Sequence, residues 1–540
     1  AKRIVSFDLG QNMVGHARLR VRAPEGTKLT MRFAEILNPD GTIYTTNLRS
    51  ARQTDEYTCS GNGLEVWEPT FTFHGFRYVE VTGLDERPAA DMIEGVVIGS
   101  DIPKIGEFEC SDPRLNQLQS NIFWGQRGNF VSVPTDCPQR DERLGWTGDA
   151  QIFAPTAAFN NQVGGFLTKW LVDLVDAQGA NGAFPDVAPR VAAGEGTAAW
   201  GDAGTIVPWA LYQAYGDKQI LADVYPAMKR WIAYLEQHSN NLLRPEAGYG
   251  DWLAIGSNTP RDVLGTAFFA RSVQLTAETA RVLGLLDEAR AHQMLWNRVV
   301  NAFRAAYVQP DGTIKGDTQT VYVLALAFDL LPDNLRPLAL GHLVDDIEGR
   351  GDRLSTGFVS VGHLLPVLSR FGREDVAWRL LVQEAFPSWL FSVKHGATTI
   401  WERWDGWTPE NGFQDPGMNS FNHYSFGSCG EWMYAHTLGL RATQPGYREV
   451  TIEPRPGGGV TWARGNLRTG YGLLGVDWRL TDDGRMALIA TVPVGVKAKI
   501  VLPPGTYSVT PDAPASDYTV LRDPDRTIVE VGSGQWRFVP

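Results

Sequence analysis

The sequence predicts a multidomain α and β protein with a β-sandwich, then a helical domain, then a second β-sandwich. Two changes of hydrophobic period carry this reading. Apolar residues alternate up to about residue 100, recur at helical spacing from about 112 to 440, and alternate again to the end. A length of 540 residues suits roughly two to four domains.

In the first segment, Lys28–Phe33, Phe71–Phe73 and Phe76–Val81 read as strands, with His74-Gly75 separating the last two. Asn38-Pro-Asp-Gly41 supplies a turn. The helical segment opens at Ser111-Asp112-Pro113, a capping residue followed by proline in the first turn. Leu115, Leu118 and Ile122 follow at helical spacing. Thr266–Tyr307 is a long amphipathic stretch with a break expected near Gly284. Pro226–Glu236, Gln319–Leu331 and Glu374–Gln383 also read as helices, and antiparallel helix pairs are the natural packing for so many. After Gly439–Gly446, Val450–Pro454, Met486–Val492 and Lys497–Leu502 read as strands.

Composition is that of a globular protein, 43% hydrophobic and 20% charged. The net charge of −12 argues against nucleic acid or an anionic membrane surface as a partner, since both require clustered Lys and Arg. No apolar run is long enough to span a bilayer. The four cysteines (Cys59, Cys110, Cys137 and Cys429) show neither a C-x-x-C pair nor a metal-ligand pattern. Their scarcity, and opening residues without an apolar leader, favour a cytoplasmic address. The chain starts directly in strand-like sequence, as a processed chain or a piece of a longer one does. The sequence leaves the oligomeric state open.

The chemistry concentrates in three clusters, each expected in loops of the helical domain. Val133–Asp149 holds four acids (Asp136, Asp141, Glu142, Asp149), two arginines (Arg140, Arg143) and Trp146, broken by prolines and glycines. The second cluster is Ala199-Trp-Gly-Asp-Ala203, with Tyr249-Gly-Asp-Trp252 further on. The third is Thr399–Trp407, followed by Asn419–Gly427. Carboxylates set beside indoles are what a sugar-cleaving site requires: one acid to donate a proton, a second to activate water or attack, and a flat apolar face for the ring. Glu142 has Asp141 and Asp136 nearby to favour its protonated form and Arg140 and Arg143 to oppose it. Glu402, between Trp401 and Trp404, is a candidate second carboxyl. The residues alone leave the pairing open. Glu431, Asp202 and Asp251 compete with Glu402. An acid-rich loop also reads as a solvated salt-bridge patch, tryptophan near Glu as packing, and His423 as a buried, hydrogen-bonded histidine.

Asp136-Cys-Pro-Gln-Arg-Asp-Glu-Arg-Leu-Gly-Trp-Thr-Gly-Asp149 resembles the signature of the bacterial α-L-rhamnosidases of glycoside hydrolase family 78. Thr399–Trp404 and Asn422–Gly427 resemble its downstream motifs. Asp8–Asn12, Asn47–Ala51 and Phe73–Val79 resemble the β-sandwich that precedes its catalytic domain. The resemblance implies a catalytic (α/α)6 barrel at residues 105–440, flanked by antiparallel β-sandwiches at 1–104 and 441–540. It implies an inverting hydrolase that releases L-rhamnose from a rhamnose-containing glycoside or polysaccharide, without metal or cofactor. By motif, Glu142 is the general acid and Glu402 the general base. Asp136, Arg140, Trp146, Asp149 and His423 line the sugar subsite, with Trp200 and Trp252 as pocket aromatics. Asp141 receives no role. The alternatives are another (α/α)6 glycosidase, specific for glucosides or uronides, and a noncatalytic carbohydrate-binding protein.

Overall fold

Strand alternation builds the first sheet. In the computed structural model, which describes residues 3–512, 518–522 and 524–540, Arg3–Val21 is the longest strand. It pairs antiparallel with His74–Leu84, Glu65–Trp67 and Ile93–Val97, and Lys28–Ala34 and Thr54–Thr58 extend the sheet beyond His74–Leu84. Inward residues of these strands (Leu19, Leu29, Met31, Phe33, Val79 and Val81) form a buried core, as period-two alternation requires. Phe71–Phe73 departs from expectation. Phe71 is fully exposed in a left-handed conformation, and the strand begins only at His74, so His74-Gly75 lies inside it.

Helices occupy the centre of the sequence. Asp112 accepts the Arg114 N–H at the start of α1 (Pro113–Asn129). There follow α2 (Thr147–Asn160), α3 (Gly164–Asp176), α4 (Ala203–Tyr215), α5 (Lys218–Gln237), α6 (Arg261–Val282), α7 (Leu286–Tyr307), α8 (Gln319–Ala327), α9 (Arg336–Gly349), α10 (Phe358–Arg370) and α11 (Glu374–Leu381). The break between α6 and α7 falls at Gly284, whose positive φ suits glycine. Helix α5 begins well before the Pro226 expected to open it. Asp217 caps it by accepting the Gln219 N–H, and its apolar stripe from Ile220 to Leu235 carries it through the proline. Helices α2, α4, α6, α8 and α10 each pack against the next, and α10 packs back on α2. The turn Ser425–Cys429 and Gly430–Trp432 fill the remaining place between α10 and α2, closing a ring. Helices α3, α5, α7, α9 and α11 lie beside the ring members.

The last segment is again β. Five strands (Leu440–Ala442, Glu449–Ile452, Lys497–Leu502, Thr527–Val531 and Tyr518–Arg522) form one sheet. Ser508–Pro511, Gly534–Val539, Met486–Val492, Gly472–Leu480 and Trp462–Thr469 form another. Gly106–Cys110 pairs with Trp462–Thr469, so a piece of chain expected at the head of the helical domain completes the C-terminal sheet instead. Trp478 and Trp536 are fully buried.

The chain packs as two units. One comprises Ala1–Asp101, Ser120–Gly145 and Ser392–Tyr424; the other comprises Ile102–Gln119, Trp146–Phe391 and Ser425–Pro540. Among the described residues no helix is long and apolar enough to cross a membrane.

Candidate active site

Of the three acid-rich segments, the first as far as Gly145 and the third as far as Tyr424 belong to the unit of the N-terminal sheet, not to the helical ring. Side chains of that sheet hold them. Gln11 donates to the Thr398 carbonyl, Asn12 to Thr399 Oγ1 and the Phe421 carbonyl, and Arg77 to the Gly396 carbonyl. Gly75 is required where the loop meets the sheet, because a Cβ there would stand 2.8 Å from Pro138 Cγ. Arg143 stacks on Phe73 at 4.0 Å and donates to the carbonyls of Phe73 and Pro138. Such a cation over an aromatic face is attracted by the ring quadrupole. Arg143 is therefore a strut of the loop rather than a partner of its acids.

Arg140 is the centre of this unit's polar cluster. It is fully buried, donates through Nη1 and Nη2 to the two oxygens of Glu402 (2.7 and 2.9 Å), and through Nε to Glu142 at 2.8 Å. Asp136 Oδ2 lies 3.6 Å from Nη2. The planar fork matches one carboxylate bidentately and leaves a donor for the next, which a lysine could not do. The Ser420 N–H also donates to Glu402, at 2.7 Å. Burial works against charge on Glu402, but Arg140, His423 and the Ser420 N–H outweigh it and hold the carboxyl below the usual range. Glu402 is thus a buried carboxylate kept ionised. Asp136 goes the other way. Burial, then the charge of Glu142, push it up to about 7 against Arg140 and His423. Its Oδ1 accepts the Leu144 N–H.

Glu142 also receives Arg49 Nη1 at 3.0 Å, and Arg49 is anchored on the Gly417 carbonyl. Asp141 points to the surface, where the Ser50 hydroxyl holds its carboxyl below the usual range. His423 is buried and its backbone N–H donates to the Ile400 carbonyl. Asp136, Cys137 and Glu142 place ligand atoms within 4.8 Å of one another. A cation there would compete with Arg140 and Arg49 for Glu142, and burial pushes the Cys137 thiol well above its usual range, so the set fits a metal poorly.

The other unit gathers the aromatic candidates. Trp146, Trp200 and Trp252 surround Tyr249, with ring centroids at 5.9 Å, 4.8 Å and 6.0 Å. These are edge-to-face contacts of the kind aromatic rings prefer. Gly148 makes room for Trp200: a Cβ on it would lie 2.6 Å from the indole. The Tyr249 hydroxyl donates to Asp186, which also accepts from Thr197. Asp149 sits in the first turn of α2 rather than in a loop, and accepts from Ser425 Oγ at 3.1 Å. The helix starts this early because Trp146 already occupies its N-cap position and Thr147-Gly148-Asp149 adopts the first turn.

The rival carboxylates have other occupations. Asp202 accepts from the Ala199 N–H, Trp231 Nε1 and Ser272 Oγ at the head of α4. Asp251 accepts from Thr320, Ser360 and the N–H groups of Gly357 and Val359. Fixed protein donors fill both, which marks them as struts. Glu431 lines a separate cavity of about 460 Å³ with Gln151, Arg271 and His363, and burial pushes it up to about 7.

Sequence reading assigned no role to Arg49, Glu35, Ser420, Tyr249 or Asp186. Arg49, Ser420 and Tyr249 lie inside motifs already noticed; Glu35 and Asp186 carried no local signal.

Paired buried carboxylates in one unit, and a ring of helices bearing clustered tryptophans in the other, are groups of the kind that glycosidases use. Comparison with known proteins sharpens this. Residues 103–437 match the bacterial alpha-L-rhamnosidase 6 hairpin glycosidase domain, 2–99 the concanavalin-like domain of the same proteins, and 439–513 their C-terminal domain. The chain belongs to the bacterial alpha-L-rhamnosidase family. An alpha-L-rhamnosidase of Streptomyces avermitilis is 53% identical over 535 residues, covering 98% of this chain and 51% of that protein. A crystal structure of a Streptomyces avermitilis alpha-L-rhamnosidase complexed with L-rhamnose superposes with a TM-score of 0.96 at 52% identity, covering 99% of this chain and 52% of that one. An alpha-L-rhamnosidase structure from Dictyoglumus thermophilum gives 0.93 at 33% identity, covering 99% and 61%. The chain spans about half the length of the curated relatives it matches.

Proposed function

We propose that this chain hydrolyses terminal α-L-rhamnosides with inversion at the anomeric carbon. The observation that carries the reading is that one buried guanidinium, Arg140, gathers Glu142 and Glu402 into a single cluster; the division of acid and base between them, and inversion, rest on the resemblance of their motifs. An inverting site needs two carboxyls kept apart by room for a water, roughly 6.5–9.5 Å in such enzymes, and in opposite protonation states. Glu142, as the acid, delivers a proton to the glycosidic oxygen. Glu402, held ionised, takes the proton of the water that attacks the anomeric carbon from the other face.

Asp136, Arg140 and His423 then serve the sugar hydroxyls, as does Asp149. Trp146, Trp200 and Trp252 offer the apolar surface that a 6-deoxy sugar requires at its methyl group. The ring of helices is read as an (α/α)6 barrel and the flanking sheets as β-sandwiches, with domains at 1–104, 105–440 and 441–540. The substrate is a rhamnose-capped glycoside or polysaccharide; the L-rhamnose in the Streptomyces avermitilis complex supports that choice.

The test is hydrolysis of an aryl α-L-rhamnoside by wild type, Glu142→Gln and Glu402→Gln. Each variant is expected to lose about 10²–10⁴ in turnover, the range for a missing acid or base. Near-normal turnover in both refutes the assignment. NMR of the first-formed sugar should show the β anomer; the α anomer would refute inversion.

A further inference from the structure

We infer that Glu35, immediately after strand Lys28–Ala34 in the N-terminal sheet, is a positioning residue for Glu402, acting through the backbone of residues 419–421. The inference rests on the reading of Glu402 as the general base.

The connection is a short chain of buried bonds. Glu402 and Ser420 are tied twice: the Ser420 N–H donates to Glu402 Oε2 at 2.7 Å, and the Glu402 N–H donates to the Ser420 carbonyl at 2.9 Å. Ser420 therefore sets where the Glu402 carboxylate points. The residues on either side of Ser420 are held from the sheet. The Phe421 N–H donates to Glu35 Oε2 at 3.0 Å. Asn47 Nδ2 donates to the Asn419 carbonyl at 2.9 Å and to Glu35 Oε2 at 3.4 Å. Asn12 Nδ2 donates to Glu35 Oε1 at 3.2 Å and to the Phe421 carbonyl at 3.3 Å. Glu35 is the acceptor common to Asn12, Asn47 and Phe421, and it is 5% exposed.

A buried carboxylate is costly unless its lone pairs are filled. A glutamate kept here among three donors, where an amide would supply only one acceptor, indicates a demand for acceptors on both oxygens. Burial pushes Glu35 up to about 7, the Phe421 and Asn12 bonds and Arg140 oppose this, and Glu402 adds to it. The groups that act on Glu402 are Arg140 and His423, which favour its charge; Glu142 shares Arg140, and the Cys137 thiol also lies in this field. Glu402 titrates below the usual carboxylate range, where Glu35 already carries its proton, so Glu35 acts on Glu402 through the backbone it holds and not through charge.

The experiment compares wild type, Glu35→Gln and Glu402→Gln on an aryl α-L-rhamnoside. Glu35→Gln keeps the length but turns an amide NH₂ toward N–H donors. The expected result is a kcat roughly 10-fold or more lower, since small misplacement of a catalytic group is costly. KM should stay within about 3-fold, as a positioning role predicts. Asn47→Ala, which loosens the same segment from its other side, should lower kcat less and also spare KM. Unchanged kcat in Glu35→Gln overturns the inference, even if thermal stability falls. If Glu35→Gln does not fold, an Asn47→Ala enzyme with normal kcat overturns it. If Glu402→Gln itself retains turnover, the base assignment has failed. If Glu402→Gln is inactive while Glu35→Gln behaves as wild type, only the role of Glu35 has failed.

Discussion

Arg140 grips Glu402 with both terminal nitrogens, at 2.7 and 2.9 Å, from a site where neither side chain reaches solvent. Its Nε is committed to Glu142 at the same time. One planar cation thus fixes the charge of one carboxylate and the place of another. The pair is worth little as a source of stability, because desolvating both ions offsets their attraction, but breaking it on one side leaves an uncompensated buried charge.

Arg140→Lys should therefore be severe although charge is conserved. An ammonium can approach one carboxylate at a time and has no fork. Turnover of an aryl α-L-rhamnoside should fall about 100-fold or more, the equivalent of roughly 3 kcal/mol. Steady-state kinetics with a melting curve on the same sample checks this. Turnover within about 3-fold of wild type would show that the bidentate geometry is dispensable.

Gly148→Ala tests the aromatic group. The added methyl would sit 2.6 Å from the Trp200 indole, so the ring must move away from Tyr249. Helix propensity alone would favour the change by about 1 kcal/mol. The expected outcome is the reverse of that propensity: a melting temperature no higher than wild type, altered tryptophan fluorescence, and weaker binding of L-rhamnose by calorimetry. A more stable protein with unchanged rhamnose affinity would place Trp200 outside the sugar subsite.

Much of this was legible in the sequence, and the failures have physical causes. Strong periodicity placed Met486–Val492 and Lys497–Leu502 to the residue, and Gly284 marked the α6–α7 break. Pro226 misled because a well-capped amphipathic helix tolerates an internal proline when its apolar face is buried. Gly106–Cys110 could not be placed because its sheet partner, Trp462–Thr469, comes only after the whole helical segment. Residues such as Arg140 and Glu142 were visible because density of charge beside tryptophan is unusual. Glu35 was invisible because its importance lies only in what folds onto it, and Asp202 and Asp251 looked catalytic because buried struts and catalytic acids use the same residue type.

Asp202→Ala should separate strut from catalyst. It leaves the Ala199 N–H, Trp231 Nε1 and Ser272 Oγ without their common acceptor inside the protein. Unsatisfied buried donors cost about 1–3 kcal/mol each before relaxation, so chemical denaturation should show a loss of at least about 2 kcal/mol. Enzyme that remains folded should keep kcat within about 5-fold of wild type. A stable but inactive variant would return Asp202 to the catalytic candidates.

Glu431 gives a pH prediction with a definite sign. Its carboxyl is raised from 4.5 to about 7, with burial as the cause. The folded state therefore holds this proton more tightly than the unfolded chain does. That contribution to stability is complete below about pH 4.5 and is lost as the pH rises through about 7, where the buried group must ionise at a cost on the order of 3 kcal/mol. Glu431→Gln keeps the shape without the charge. It should melt above wild type at pH 8, and the gap should close progressively toward pH 4.5, where both side chains are neutral. Thermal melts of the two proteins at half-unit steps from pH 4.5 to 8 measure this directly. Parallel curves across that range would mean that the carboxylate is solvated in its cavity and that burial does not govern it.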